Sequence, residues 1–409
     1  MAKRILVYTN HYFPENFKIN DIVNHFDDQE YSVKVITGIP NYPSGKIFQN
    51  YGYFKKTNEI KGNIKIRRLP LITRGKGSNF RLVLNYLSYF FSVLIYTIYL
   101  ILFNKKYDII FVHHTSPIFI AISPCLYKIF NKQVKMILWD LDIWPESLQA
   151  MGVIKKNKIL KKVKKLVEIL YSKFDIILVG SNSFVKIVKK RVRNIPVVYF
   201  PNWAEDIFEG ALTSETLPKT ETETQTENLK IMFAGNIGEA QDVYSILKLI
   251  DKCKDKNIDW VFVGDGRMKN WLERELNLIT ILGKINFLGN HPIQKMPLFF
   301  KQADIMLLSL KNNDIFSKTV PAKLQAYLAS AKPVFGMISG ESKKIIIDSG
   351  AGWCSNSGDI ESAHNNICKI LKCNYKELSE KGLRGLEYYD KNFSKHSRFS
   401  QIDNIIKTL

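Results

Sequence analysis

The first residues in this sequence able to do chemistry are glycines that close apolar runs. They stand in Phe233-Ala234-Gly235-Asn236-Ile237-Gly238 and in Val261-Phe262-Val263-Gly264-Asp265-Gly266-Arg267. A buried strand that ends in glycine lets a phosphate approach backbone N–H groups. Two such endings on one sheet edge point to a nucleotide phosphate. Neither continues as a Walker loop or as a dinucleotide fingerprint with a spaced acidic residue, which disfavours ATPase and NAD chemistry. The segment Asp314–Tyr327 adds Ser317, Lys318, Thr319 and Lys323 around Pro321 at a predicted helix start, an arrangement receptive to anions. Lys318 or Lys323 can neutralise a diphosphate there, and Gln325 can hydrogen-bond ribose hydroxyls. Two further runs end in polar residues, His113-His114 and Asp140-Leu141-Asp142. Successive strand residues alternate faces, so one histidine is expected in a crevice and the other against the sheet. Asp140 or Asp142 is expected to meet a sugar or hydroxyl, with helix capping as the alternative for Asp142.

The elements that must hold these residues form two series. Apolar runs at Ile5–Thr9, Val33–Thr37, Ile109–His113, Lys135–Trp139 and Ile176–Gly180 alternate with helical stretches. A second series follows at Lys230–Gly235, Trp260–Gly264, Ile285–Gly289, Ile305–Leu310 and Pro333–Met337. Such runs read as parallel strands buried on both faces, and two series imply two doubly wound α/β domains. The expected division is 1–202, a linker at 203–229, 230–392, and a C-terminal helix at 393–409 able to cross back to the first domain. Thr213–Glu227, nearly all Thr, Glu, Ser, Pro and Gln, should be an exposed linker or loop.

The 409 residues, 46% hydrophobic and 24% charged, exclude disorder as the main state. The net charge of +21 is uneven: the first 200 residues hold 32 basic and 12 acidic side chains. That half should meet an acidic surface. Seven lysines within Lys155–Lys165 and five cations within Lys186–Arg193 contribute to it. Leu82–Phe103 has no charge over 22 residues. It is long enough to span a bilayer. A span, however, would put strands of one sheet on opposite sides, which favours a buried helix or one dipping into a single leaflet over a true span. With the basic tracts it suggests anionic lipid as partner. No nucleic-acid motif accompanies the charge. Five scattered cysteines without metal-like spacing suggest reduced thiols in a cytoplasmic compartment. Ile5–Thr9 is too short for the apolar core of a signal peptide.

Together these motifs resemble family 4 retaining glycosyltransferases, which have the GT-B fold, two Rossmann-like domains facing across a cleft. Pro321-Ala322-Lys323-Leu324-Gln325-Ala326-Tyr327-Leu328-Ala329-Ser330-Ala331-Lys332-Pro333-Val334 looks like the donor-site helix. The resemblance extends through His11–Asp21, Gly38–Gly45, Trp139–Ser147, Gly235–Gln241 and Gly340-Glu341. It is similar to the WbuB-like branch, associated with N-acetyl-L-fucosamine transfer in bacterial polysaccharide assembly. The family's paired donor-helix glutamates correspond here to Ser317 and Gln325, and its diphosphate-binding Arg and Lys to Asn236 and Gln241. The implied donor site is Gly235, Asn236, Gly238, Gln241, Gly264, Gly266, Arg267, Lys318, Thr319, Lys323, Gln325 and Glu341, with Lys318, Lys323 and Arg267 meeting the phosphate charge. Acceptor contacts are expected from Asn16, Phe17, Lys18, Asn41, Tyr42, Trp144 and Glu146, and catalytic ones from Asp140, Asp142 and His114.

The resemblance implies a UDP-sugar co-substrate and no metal or other cofactor. It further implies an undecaprenyl-diphosphate-linked glycan acceptor and a place on the cytoplasmic face of the bacterial inner membrane, in O-antigen or capsule synthesis. Front-face substitution, in which a leaving-phosphate oxygen takes the acceptor proton, needs no protein nucleophile. Two alternatives share these features in part: a UDP-sugar 2-epimerase of the same fold, and a non-catalytic scaffold at the membrane.

Overall fold

A computed structural model describes residues 2–75, 78–150, 157–209 and 228–409; the Thr/Glu-rich stretch and the first lysines of the Lys155–Lys165 tract lie outside them. The chain divides into two compact units, Met1–Phe200 with Ile402–Leu409, and Pro201–Gln401. The division thus falls two residues earlier than Asn202, and Trp203–Glu209 pack within the second unit. There the Ala204 amide donates to the Tyr389 hydroxyl at 3.1 Å and Trp203 meets Phe399 edge-on.

The first unit is an eight-stranded sheet of β1 (Arg4–Thr9), β2 (Ser32–Gly38), β3 (Asn58–Lys61), β4 (Ile64–Leu69), β5 (Ile109–His114), β6 (Lys135–Asp140), β7 (Ile176–Val179) and β8 (Val197–Tyr199). Its order is β3-β4-β2-β1-β5-β6-β7-β8, parallel except for the β3–β4 hairpin. Its helices are α1 (Ile19–Asp28), α2 (Asn79–Leu102), α3 (Ile122–Phe130), α4 (Glu146–Ala150), α5 (Asn157–Tyr171) and α6 (Asn182–Lys189). Alternate strand residues Leu6, Tyr8, Ile110, Val112, Met136 and Leu138 join Tyr89, Val93, Tyr127, Val167 and Val188 in one core. One face of the sheet is therefore covered by α2, α3, α5 and α6.

The second unit has β9 (Leu229–Ala234), β10 (Ile258–Val263), β11 (Ile285–Gly289), β12 (Ile305–Ser309), β13 (Val334–Met337) and β14 (Gly352–Ser355), in the order β11-β10-β9-β12-β13-β14 and all parallel. Its helices are α7 (Val243–Lys252), α8 (Lys269–Leu276), α9 (Met296–Gln302), α10 (Ala322–Ala329), α11 (Glu341–Asp348), α12 (Ile360–Ile370) and α13 (Tyr375–Asn392). Helix α14 (Lys395–Thr408) follows and ends in the first unit. In each sheet the strand order reverses once, at β1/β5 and at β9/β12, and such switch points are where open α/β sheets leave a crevice for ligands.

Helix α2 carries the uncharged segment. Because β1 and β2 precede it, β5 follows it, and β1 pairs with both β2 and β5, it cannot separate its flanks across a bilayer. Nor is it buried all round. One stripe, Asn85, Tyr89, Val93, Thr97 and Leu100, faces the core, where Thr97 and Tyr8 share a hydrogen bond of 3.1 Å. The opposite stripe, Phe80, Val83, Leu87, Phe91, Ile95, Ile98 and Leu102, is exposed, from 40% at Leu87 to 75% at Leu102. Its steps of three and four residues are those of one helix face. Six turns of apolar side chain are thus left uncovered by the other described elements.

Candidate active site

In the second unit, β9 and β10 end in glycines that no other residue could replace. Gly235 and Gly264 have φ of +116° and +136°, and a Cβ on Gly264 would lie 2.0 Å from the Gly235 carbonyl oxygen. Gly266 is packed as closely, 2.2 Å from the Ile237 carbonyl oxygen. The two strand ends are thereby pressed together, with an open pocket of about 490 Å³ beside them. Gly235, Asn236, Gly264, Asp265, His291 and Tyr327 line it, with Ala322, Lys323 and Ala326 from α10 and with Glu205 and Phe208.

Lys323 is the unusual group here. Its stem is partly accessible, but its Nζ is sealed and has no hydrogen-bond partner among the described residues. The ammonium lies 3.9 Å over the Phe233 ring, and its Cε comes within 2.6 Å of where a Gly235 Cβ would be. Burial without a counter-charge pulls its pKa down to about 7. A cation set against a glycine edge and lacking an anion is a receptor for one.

The other expected donor residues are arranged differently. Gln241 is turned inward, its Oε1 accepting from the Gly238 amide at 3.2 Å and the Asn236 side chain at 3.3 Å, so these three brace the loop. Lys318 pairs with Asp314 at 2.6 Å, and Thr319 caps the Ile315 carbonyl at 2.8 Å. Arg267 is exposed and outside the pocket lining. Glu341 opens α11 behind Gly340, whose Cβ would strike the Ser317 carbonyl. Gln325 requires a correction: it is buried and absent from the pocket lining. The faces of α10 presented to the pocket are 322, 323, 326 and 327, so Ala326, one residue further on, occupies the helix position that borders the pocket.

In the first unit, the C-terminal strand ends carry a different cluster. Asp140 and His114 are both fully buried, with His114 Nδ1 and Asp140 Oδ1 2.6 Å apart, and the Tyr171 hydroxyl donates to the other Asp140 oxygen. They point into the helix-covered face beside α5, so the expectation that Asp140 and His114 meet a substrate is corrected: they tie β5, β6 and α5 together. Asp142 is partly exposed and accepts from Trp144 Nε1 at 3.3 Å. Trp144 is itself buried edge-on against Phe119, and Glu146 pairs with Arg191. Trp144 is thereby removed from the surface expected to touch an acceptor, whereas Glu146 is partly exposed and held by Arg191.

The opposite sheet face is more open. His11 stacks on Phe17 with ring centroids 4.5 Å apart, and Tyr42 leans on both rings at 5.3 Å. Glu15, buried, binds His11 Nδ1 at 2.7 Å through one oxygen and the Asn41 and Tyr42 amides at 2.7 Å through the other. Asn41 is thereby a loop brace, while Phe17 and Tyr42 offer ring surface. Asn16 is exposed and Lys18 half-buried at the start of α1. His113 Nδ1 meets Thr9 Oγ1 at 2.9 Å. Burial, helped by the neighbouring His11 and His114, holds the His113 pKa down at about 3, so its ring is neutral. His11, Glu15 and Arg74 were not among the expected site residues, although His11 and Glu15 stand four apart in a motif already singled out, and of the two strand-end histidines it is His113 that lies on this face.

Two doubly wound parallel units define a GT-B fold. An α,α-trehalose-phosphate synthase (UDP-forming) from Burkholderia vietnamiensis has this fold with a TM-score of 0.70, at 11% identity over 100% of both chains. Residues 215–384, within the second unit, match the family model for glycosyl transferases group 1. Among curated proteins, the probable glycosyltransferase WbjE of Pseudomonas aeruginosa is 25% identical over 58% of this chain, and the match takes in 60% of WbjE. The putative colanic acid biosynthesis glycosyl transferase WcaI of Escherichia coli is 23% identical over 80% of this chain and 81% of its own length.

Proposed function

We propose that the protein is a retaining glycosyltransferase of bacterial polysaccharide assembly that moves a sugar from UDP to a lipid-linked glycan. The observation that carries this reading is the unpaired, sealed Lys323 ammonium beside the Gly235–Gly264 edge, inside the matched domain. The departing UDP gains negative charge as the glycosidic bond breaks. A cation already desolvated, with no hydrogen-bond partner among the described residues, can turn towards that charge without giving up another hydrogen bond. N-acetyl-L-fucosamine, or a related amino-deoxy sugar, is the donor sugar to try first, on the resemblance to the WbuB-like branch. No metal is assigned a role: the phosphate charge falls to Lys323 and the backbone amides at the glycine edge.

The exposed stripe of α2 and its surroundings support an acceptor held at a membrane. The exposed apolar stripe runs roughly 33 Å along the helix. It lies in the same helical layer as α5, whose Lys158, Lys161, Lys162, Lys164 and Lys165 are exposed. Apolar contact flanked by lysines matches an anionic bilayer surface, which for this protein is the cytoplasmic face of the inner membrane. The test is binding of UDP and a panel of UDP-sugars to the purified protein, with and without EDTA. Metal-independent UDP binding, tightened by an amino-deoxy sugar, is expected. No UDP binding at millimolar ligand would overturn the reading.

A further inference from the structure

Three arginines of the first unit pair with carboxylates, and Arg74, among the described residues, does not. Arg68 is matched by Glu59 at 2.7 Å, Arg191 by Glu146, and Arg4 by Asp108. Arg74 has only neutral acceptors among the described residues: His11 Nε2 at 3.1 Å from its NH2 and Asn85 Oδ1 at 3.3 Å from its Nε. The imidazole can accept there because its other nitrogen, Nδ1, donates to Glu15, whose remaining oxygen is spent on two backbone amides. Asp142 also acts nearby, raising the pKa of Tyr86, and it accepts a hydrogen bond from Trp144.

The guanidinium carbon of Arg74 lies 5.3 Å from the ring centroid of Tyr42 and 5.3 Å from that of Tyr86. Two aromatic rings thus sit close to the cation. The NH1 nitrogen is neither paired within the described residues nor sealed from solvent. A planar fork with open in-plane N–H groups is suited to a phosphate, which it grips through two oxygens. Six residues further on, the exposed apolar stripe of α2 begins at Phe80.

We propose that Arg74, which has Tyr42 and Tyr86 close by and is propped by His11, binds the phosphate of a prenyl-diphosphate acceptor whose hydrocarbon lies along the α2 surface. This rests on the lipid-linked acceptor reading above and names the group by which that acceptor is gripped. Arg74, bonded to Asn85 of α2, holds the diphosphate end of the acceptor, and the lipid lies along the exposed apolar stripe of the same helix.

The probe is farnesyl diphosphate in detergent, titrated calorimetrically into the full chain, with inorganic pyrophosphate and farnesol as comparisons. The proteins are wild type, Arg74→Gln, Arg74→Lys and Lys323→Met. Wild type and Lys323→Met should bind farnesyl diphosphate alike, and Arg74→Gln should weaken it at least about tenfold, the loss of one charge-assisted contact. Arg74→Lys keeps the charge without the fork and should fall between. UDP affinity unchanged in Arg74→Gln shows that the variant is folded. Equal binding by Arg74→Gln and wild type would overturn the proposal, as would a loss confined to Lys323→Met. Pyrophosphate bound as tightly as farnesyl diphosphate would mark a site for free phosphate, and farnesol bound equally would mark a lipid groove; either removes the assignment. Arg74-dependent binding of farnesyl diphosphate without UDP binding would leave this inference standing and sink the donor reading.

Discussion

Replacing Lys323 by Met should stabilise the protein and damage its donor site at the same time. Burial lowers the Lys323 pKa from 10.5 to about 7. Between those two values the unfolded chain holds a proton that the folded chain has released, so stability rises with pH across that window, and the full penalty is present below about pH 7. A shift of this size sets an upper limit of about 5 kcal/mol. The lysine stem is partly accessible and the unfolded chain is not fully extended, so about 1–3 kcal/mol is the gain expected from Lys323→Met at pH 7. The gain should vanish as pH approaches the lysine's unfolded value. Methionine keeps the contact with Phe233 and cannot meet a phosphate, so UDP affinity should fall about 10- to 100-fold, the worth of one charge-assisted hydrogen bond. Because bound diphosphate favours the ammonium, UDP binding to wild type near pH 8 should take up a proton, and its affinity should decline as pH rises above 7. Urea denaturation at several pH values reads the first effect. Calorimetry in two buffers of different ionisation enthalpy reads the second. A Met variant that is less stable than wild type at pH 7 and binds UDP as well would refute both the burial argument and the assignment.

Three other outcomes follow from the geometry. Ile95→Asp, on the exposed stripe of α2, should leave thermal unfolding within about 0.5 kcal/mol of wild type. It should lower binding to anionic vesicles about tenfold or more, read by co-sedimentation, and unchanged binding would remove α2 from the membrane surface. Asp140→Ala should cost about 3–5 kcal/mol in denaturant unfolding, since it strips His114 and Tyr171 of a shared buried partner. A variant of normal stability but no activity would restore Asp140 to the chemistry. Gly264→Ala drives a methyl into the Gly235 carbonyl at a φ of +136°, so it should destabilise the second unit by at least about 2 kcal/mol and weaken UDP binding.

Much of the fold was legible because parallel strands covered on both faces must be apolar throughout. The runs at Ile5–Thr9 and Lys230–Gly235 read directly as β1 and β9. The hairpin β3–β4 was not legible, since Asn-Glu-Ile-Lys and Ile-Lys-Ile-Arg-Arg-Leu lie at the sheet edge and carry the polar residues an edge tolerates. Alternation separated His113 from His114 but could not say which face α5 would cover, and Tyr171 on α5 decided it. Gln325 was misread because a helix turns 100° per residue: a position one off the pocket face is packed against the core. Glycine 235 and 264 were found because a strand that turns sharply at a ligand edge has few other residues available to it. Arg74 gave no sequence signal at all. It sits alone in a loop, and its partners come from residues 11, 42, 85 and 86.

The last residues of α14 return to the first unit, where Ile402 and Ile406 are fully buried, Asp403 binds His25 Nε2 at 2.9 Å, and the Ile406 carbonyl accepts from Lys3 at 2.8 Å. On the ribosome, residues 1–200 therefore emerge long before the segment that finishes their core. Translation of the intervening 201 residues lasts roughly 10–40 s at 5–20 residues per second. During that interval the seat for Ile402 and Ile406 is open, next to a nascent chain that already displays the apolar ridge of α2. Early delivery to a lipid surface or to a holding chaperone would shield the ridge, and closure of the first unit waits on the completion of the second.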